Sequence, residues 1–211
     1  MISELEKYLT AHTSPQEEGL AWIEKQTHLR TNVSQMLAGP VQGRLLRILA
    51  EVSGAHRILE IGTFTGYSAA SLALGAGPDA HVDTLEINDE LVDLILEGWR
   101  RCGVSDRITL HSGNALQTLS EFGESTFDLV FIDADKREYP GFYALCKPLL
   151  RKGGLMIVDD VLWGGKILGE DVPSDAKTSG ITGFNDMVAG DPDVEVVVLP
   201  LRHGLSLIRK K

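Results

Sequence analysis

RILEIGTFTGYS, residues 57–68, is the stretch from which the fold of this chain can be predicted. The apolar run at 58–61 predicts a buried parallel strand, and Gly62 predicts the tight turn that ends it. The alanine-rich residues 68–74 that follow predict a helix. A strand, a glycine turn and a helix N-terminus in this order form a pocket for part of a nucleotide-like ligand.

The glycine spacing in this stretch indicates which ligand that pocket accepts. A dinucleotide fingerprint, G-x-G-x-x-G, lets the backbone contact a pyrophosphate. Here the glycines are Gly62 and Gly66, and bulky Phe64 and Tyr67 occupy positions where that pattern needs glycine. S-adenosylmethionine (SAM) fits better, with its amino-acid end near the turn and its ammonium near Glu60. The alternative interpretation is an ordinary strand–helix turn without a ligand.

Length, net charge and cysteine count limit the classes of protein to which this chain can belong. The chain has 211 residues and a net charge of −10, which predicts one domain and argues against non-specific binding to nucleic acids or anionic membranes. Two cysteines, Cys102 and Cys146, are too few for a disulfide scaffold, and no signal-peptide or membrane-span pattern is present. We therefore expect a cytoplasmic protein that does not associate with membranes.

Strand and helix patterns alternate along most of the chain. Residues 1–35 predict a helical appendage, with an N-terminal capping box formed by Ser14, Pro15 and Glu17, and 36–211 predict the ligand-binding core. Strands are predicted at 56–61, 81–87, 107–111, 127–132 and 154–158, and helices at 66–75, 88–102, 114–122, 139–150 and 179–189. Residues 194–199 and 205–208 predict an antiparallel edge hairpin. The fold class is therefore α/β, with a mostly parallel seven-stranded sheet and helices on both faces.

The carboxyl ends of the second and third strands carry polar residues that suit a nucleoside. Glu86 lies near the end of the second strand, where a carboxylate can accept from both ribose hydroxyls; the alternative interpretation is an ordinary surface acid. Asn114 follows the third strand and could pair with an adenine edge, or it could simply cap the next helix. Ser68 has the same two interpretations, a ligand contact or a helix cap.

The fourth and fifth strands end in acidic residues. Asp133, Asp135 and Lys136 follow the fourth strand, and Asp159 and Asp160 follow the fifth. If these strands are neighbours, the carboxylates converge and repel one another unless a cation is bound. Oxygen ligands favour Mg²⁺ over zinc. The alternative is a set of separate helix caps without a metal. The six histidines, His203 among them, show no metal-ligand spacing and are interpreted as surface or partly buried residues.

In combination these motifs resemble the class I, metal-dependent, SAM-dependent O-methyltransferases, the family of catechol and caffeoyl-CoA O-methyltransferases. The resemblance runs from about Gln35 to Lys210 and implies a Rossmann-like SAM methyltransferase fold. It rests on QG at 42–43, LEIGTFTGYS at 59–68, FIDADK at 131–136 and VDDVLW at 158–163.

The resemblance also implies roles for single residues. SAM-contacting positions are matched by Ala38, Glu60, Gly62, Thr63, Ser68, Glu86 and Ala115, with Asp133 and Asp135 as further SAM contacts. The metal ligands are matched by Asp133, Asp159 and Asp160, the metal being Mg²⁺ or another divalent cation such as Mn²⁺ or Ca²⁺. Lys136 matches a proposed catalytic base, and the resemblance implies Lys136 and Asp133 as the catalytic residues. Asp160 stands where better-known members have Asn, which adds a negative charge.

The reaction that this family implies is methylation of one hydroxyl of a catechol-like small molecule, by a homodimer. One alternative is a tRNA hydroxyuridine O-methyltransferase of the same family, which the net charge of −10 disfavours. Another is a SAM-binding protein without catalysis. A nicotinamide-dependent oxidoreductase is disfavoured by Phe64.

Overall fold

A computed structural model describes residues 4–169 and 172–211, so the first three residues of the predicted appendage lie outside the described residues. The helices are α1 (Glu4–Ala11), α2 (Glu18–Arg30), α3 (Gly39–Val52), α4 (Tyr67–Ala76), α5 (Val92–Cys102), α6 (Ala115–Leu119), α7 (Tyr139–Leu149) and α8 (Ala176–Ala189). The strands are β1 (Arg57–Ile61), β2 (His81–Glu86), β3 (Ile108–Ser112), β4 (Phe127–Ile132), β5 (Leu150–Asp159), β6 (Val194–Leu199) and β7 (Leu205–Lys210).

The seven strands follow the order β3-β2-β1-β4-β5-β7-β6 in one sheet. Pairing is parallel between β2 and β3, between β1 and β4, and between β4 and β5. It is antiparallel between β5 and β7 and between β7 and β6. The predicted α/β class and the predicted C-terminal edge hairpin are therefore confirmed.

The chain divides into two compact units, residues 1–56 with 63–112 and residues 57–62 with 113–211. In the first unit, Ile23 of α2 and Trp99 of α5 are fully enclosed, and Gly98 lets these helices approach closely. The predicted boundary at residue 35 stays a prediction.

The second unit contains β1, β4 and β5 in adjacent positions. Their central side chains, such as Leu59, Phe131 and Ile157, are all 0% exposed. A parallel strand that is buried on both faces needs a continuous apolar run, which is the pattern that the sequence carries there. The carboxyl ends of β4 and β5 therefore lie side by side, as the predicted acidic site requires.

Two of the predicted local features differ from the structure. The capping box at Ser14 is wrong, because α2 begins at Glu18 and its N-cap, Glu17, makes no side-chain capping bond. Helix α5 begins at Val92 instead of residue 88, because Asn88 accepts a hydrogen bond from the amide of Glu90 and holds a turn there. Among the described residues, none of the helices combines the length and apolar composition needed to cross a bilayer.

Candidate active site

The turn after β1 is built around Gly62. Its φ of 100° is unfavourable for a side chain, and a Cβ there would lie 2.0 Å from the carbonyl oxygen of Asp133. The amide of Asp133 donates to the carbonyl of Ile61 at 2.9 Å, so the backbone beyond β4 runs directly beside the end of β1. Gly62 is therefore required because no larger residue permits this approach.

Two of the three acidic residues that were predicted to converge at the ends of β4 and β5, Asp133 and Asp160, come together on Lys136. Its Nζ lies 2.7 Å from Oδ1 of Asp133 and 2.8 Å from Oδ2 of Asp160. The Lys136 side chain is only 10% exposed, and its Nζ lies 5.1 Å from the ring centroid of Tyr139. One ammonium thus balances two carboxylates in a largely buried place.

The protonation state of Lys136 follows from these neighbours. Burial by itself lowers the pKa of the ammonium, but Asp133, Tyr139 and Asp160 outweigh it and raise the pKa well above its ordinary value. In this arrangement Lys136 is an ammonium that can donate a proton but cannot accept one. Burial also raises the pKa of Tyr139 well above its ordinary value.

Asp159 and Asp160 have different environments although they are neighbours in sequence. Asp159 is 5% exposed, its Oδ1 accepts from the amide of Asp160 at 2.8 Å, and its carbonyl accepts from the hydroxyl of Tyr139 at 3.0 Å. Asp160 has a φ of 61°, in the left-handed region that non-glycine residues rarely adopt. Such backbone strain is typical of functional sites, because the surrounding structure must hold it in place.

The donor chemistry of this cluster suits a divalent cation. Within residues 4–169 and 172–211, no three His, Cys, Asp or Glu side chains form a ready-made cage for a metal ion. The Lys136 ammonium nevertheless acts as a cation shared by Asp133 and Asp160. Carboxylate oxygens are the ligands that Mg²⁺ and Ca²⁺ prefer. These carboxylates are therefore suitable ligands for a divalent cation, provided that the Lys136 ammonium moves out from between Asp133 and Asp160.

The first unit holds the predicted SAM-contacting residues Thr63, Ser68 and Glu86. Thr63 is buried, and its hydroxyl oxygen lies 2.6 Å from that of Thr84. Glu86 accepts through Oε2 from the amide of Phe64 at 2.7 Å and through Oε1 from the amide of Asn88 at 2.9 Å. These bonds fix the carboxylate, and each oxygen keeps a lone pair for a further donor.

The remaining predicted SAM contacts lie at the start of α3, at the start of α6, in the segment after β4, and in β1. Ala38 is the N-cap of α3, and Ala115 begins α6, whose N-cap Asn114 accepts from the amide of Leu116. The helix-cap interpretation of Asn114 is thus confirmed, and its adenine contact stays a prediction. Asp135 bonds to Arg137, which lowers the pKa of its carboxyl despite an opposing contribution from burial. Glu60 is 0% exposed in β1.

Two features of this region were not predicted from the sequence. Nδ1 of His203 lies 3.2 Å from Oδ1 of Asp160, although His203 was interpreted as an ordinary surface or partly buried histidine. Only the return of β7 beside β5 brings it there, so no local sequence signal was available. The indole Nε1 of Trp163 and the Oδ1 of Asn185 are buried without a hydrogen-bond partner among the described residues.

Comparisons with known proteins place this geometry in a wider context. A family model described as O-methyltransferase matches residues 10–211. Tricin synthase 2 of Oryza sativa is 35% identical over 186 residues, which cover 83% of this chain and 63% of that protein. This chain therefore spans less than two thirds of that relative.

Two further proteins are similar to different extents. The catechol O-methyltransferase of Mycobacterium tuberculosis is 42% identical over 135 residues, covering 64% of this chain and 61% of that protein. The solved structure of the O-methyltransferase TomG of Streptomyces achromogenes in complex with SAM has a TM-score of 0.91 and 30% identity. That likeness covers 100% of this chain and 97% of the other, which agrees with the predicted Rossmann-like fold.

Proposed function

Since this chain belongs to the O-methyltransferase family, we propose that it transfers a methyl group from SAM to one hydroxyl of a catechol-like acceptor, with the help of a divalent cation. The observation that carries this proposal is the convergence of Asp133 and Asp160 on one cationic group at the ends of two adjacent strands. The name of the mycobacterial relative and the SAM complex of TomG support the acceptor class and the methyl donor.

Asp133, Asp159 and Asp160 would hold the cation, which we propose to be Mg²⁺, with Mn²⁺ and Ca²⁺ as the alternatives. When bound, such a cation stabilises a phenolate and so lowers the pKa of an acceptor hydroxyl. By holding this positive charge in one place, the three carboxylates would favour an acceptor with two neighbouring oxygens. A buried site also excludes water from the reacting oxygen, which the low exposure of Asp159 favours.

Lys136 is the residue that we assign to the hydroxyl proton. Its Nζ is bound by two carboxylates and carries its proton in the arrangement described above. It can accept the hydroxyl proton only after it has moved away from one of these carboxylates and released its own extra proton to solvent water. A cation held by Asp133 and Asp160 would favour both changes, because its positive charge would repel the ammonium of Lys136.

We propose that SAM lies against the residues that the sequence singled out. We assign its contacts to Ala38, Glu60, Gly62, Thr63, Ser68, Glu86, Ala115, Asp133 and Asp135. Glu86 has its carboxylate held by two backbone amides and would accept from ribose hydroxyls. Glu60 is the carboxylate that we assign to the SAM ammonium.

We also propose that the enzyme is a homodimer. Strand β6 is the last strand of the sheet order, and its residues Val196, Val197 and Val198 are 39%, 52% and 43% exposed. Exposed apolar edge strands invite pairing with another chain, and a second copy would cover these valines. Light scattering after gel filtration should give twice the mass of one chain, and Val197→Lys should halve it.

The proposed reaction is tested with labelled SAM and a panel of acceptors. Catechols and caffeoyl esters should become labelled in the presence of Mg²⁺, whereas transfer RNA should not. Label in transfer RNA alone would favour the hydroxyuridine alternative. SAM binding by calorimetry without any labelled product would favour a non-catalytic SAM-binding protein and contradict the proposal.

A further inference from the structure

His203 has no role in the function proposed above, but the fold holds it against the acidic cluster. It lies in the turn between β6 and β7, where the amide of Leu162 donates to its carbonyl at 2.7 Å. The amide of Val161 donates to the carbonyl of the next residue, Gly204, at 3.1 Å. The backbone around His203 is therefore bonded directly to the segment that follows Asp160.

The turn is constrained on its other side as well. Gly204 has a φ of 96°, and a Cβ there would lie 2.5–2.7 Å from atoms of Leu162. Arg202, on the other side of His203, has a φ of 51°. Positive φ values on both sides of His203 are kept only where the surrounding contacts determine them, so the fold fixes the backbone position of His203.

The side chain of His203 uses this position to face Asp160. Its Nδ1 lies 3.2 Å from Oδ1 of Asp160, while Oδ2 of the same carboxylate faces Lys136 at 2.8 Å. Two donor atoms that share one octahedral cation at about 2.1–2.3 Å lie about 3 Å apart. The distance between Nδ1 of His203 and Oδ1 of Asp160 is therefore compatible with both atoms binding the same cation.

On the assumption that Asp160 binds a cation as proposed above, the geometry points to His203 as an additional nitrogen ligand that determines which cation is preferred. Mg²⁺ and Ca²⁺ favour oxygen ligands, whereas imidazole suits first-row transition metals. A site with Asp133, Asp159, Asp160 and His203 therefore gains affinity for Mn²⁺ and Co²⁺ that an all-carboxylate site lacks. Mg²⁺ gains little from the same nitrogen.

Calorimetric titration of the full chain with CoCl₂ and with MgCl₂ tests this assignment. His203→Ala should weaken Co²⁺ binding about 10-fold or more and Mg²⁺ binding less than about 3-fold. His203→Asn, which can still donate a hydrogen bond to Asp160, should lose Co²⁺ affinity to the same extent. The matched control is His28→Ala, an exposed histidine of α2, which should leave both affinities unchanged.

A spectroscopic readout separates ligation from simple positioning of Asp160. Pulsed electron paramagnetic resonance of bound Mn²⁺ should show coupling to a ¹⁴N nucleus in the wild-type chain and none in His203→Ala. Equal losses of Co²⁺ and Mg²⁺ affinity, or full Co²⁺ affinity in His203→Asn, would mean that His203 only positions Asp160, and would overturn the assignment. If the wild-type chain binds neither ion, the proposed cation dependence itself fails, whereas ion binding that ignores His203 overturns this inference alone.

Discussion

Two lysines of the second unit each lie between two aspartates in a group that includes a tyrosine, yet their surroundings differ. Lys136 lies between Asp133 and Asp160 and is 10% exposed. Lys147 lies 2.6 Å from Asp191 and 2.9 Å from Asp193 and is 24% exposed. We call these groups the Lys136 cluster and the Lys147 cluster. Residue types alone do not distinguish them.

Their positions in the fold do distinguish them. The Lys147 cluster joins the last turn of α7 to the loop that follows α8, and Tyr143 adds a hydrogen bond to Asp191 at 2.7 Å. Its lysine lies in α7 and its two aspartates follow α8, so none of the three lies at the carboxyl end of a strand. The Lys136 cluster lies at the carboxyl ends of β4 and β5, where ligands bind in doubly wound sheets. We therefore interpret the Lys147 cluster as structural and the Lys136 cluster as functional.

The sharpest test of this contrast is Asp133→Asn. It keeps the size of the side chain but removes a proposed cation ligand, so methyl transfer should fall about 10³-fold or more. The rate is measured with labelled SAM and a catechol. The matched control, Asp191→Asn in the Lys147 cluster, should keep its activity within about 2-fold. A rate for Asp133→Asn within 10-fold of wild type would contradict a functional role for the Lys136 cluster.

The next largest effect is expected for Lys136→Met, which keeps the aliphatic stem and removes the proton-transferring group. Methyl transfer should fall about 10²-fold or more. Mg²⁺ binding, measured by calorimetry, should persist or strengthen, because a competing positive charge has been removed. Weaker Mg²⁺ binding with unchanged turnover would show that Lys136 supports the cation instead of moving a proton.

A smaller effect, on stability alone, is expected in the Lys147 cluster. Asp191→Asn weakens bonds from Lys147 and Tyr143, so the free energy of unfolding should fall by about 1–3 kcal/mol. Urea denaturation measures this change. Asp193→Asn is the control, since Asp193 is 71% exposed and its ion pair should contribute less than about 1 kcal/mol. An equal decrease in the free energy of unfolding for Asp191→Asn and Asp193→Asn would mean that the burial of Asp191 is unimportant.

The smallest effect is the pH dependence of the same group. Burial would raise the pKa of Asp191, but hydrogen bonds from Lys147 and Tyr143 outweigh it and lower the pKa from 3.8 to about 2. A depressed carboxyl pKa contributes stability that is complete above the unfolded value and is lost as the pH falls through the folded value. The stability difference between wild type and Asp191→Asn should therefore be constant from pH 7 to 5 and shrink between about pH 4 and 2. A difference that grows on acidification would contradict this assignment.

Much of the fold could be predicted because its strands are buried on both faces. The bounds of β4 at 127–132 and β6 at 194–199 are those that the sequence predicted. Strand β5 is longer than predicted, from Leu150 to Asp159, because it continues through Gly153 and Gly154, which local patterns treat as a break. Apolar runs thus locate strands better than their ends.

Two of the errors have a common physical cause, which is a contact between residues that are distant in the sequence. Glu17 was predicted to complete a capping box, but it forms ion pairs with Arg44 and Arg47 of α3. In the same way, His203 reaches Asp160 only because β7 returns antiparallel to β5. No local sequence pattern predicts either of these contacts. Asp133, Lys136 and Asp160 could be predicted because parallel strands bring their carboxyl ends to one edge.

The central claim is that the carboxylates of the Lys136 cluster act through a divalent cation in methyl transfer. Its most direct test is the initial rate of catechol methylation with labelled SAM, measured after exhaustive chelation and again after addition of Mg²⁺. We predict that the rate falls to background on chelation and returns with Mg²⁺ in the wild-type chain and in Asp191→Asn, but not in Asp133→Asn. A full rate in the presence of the chelator would contradict the account.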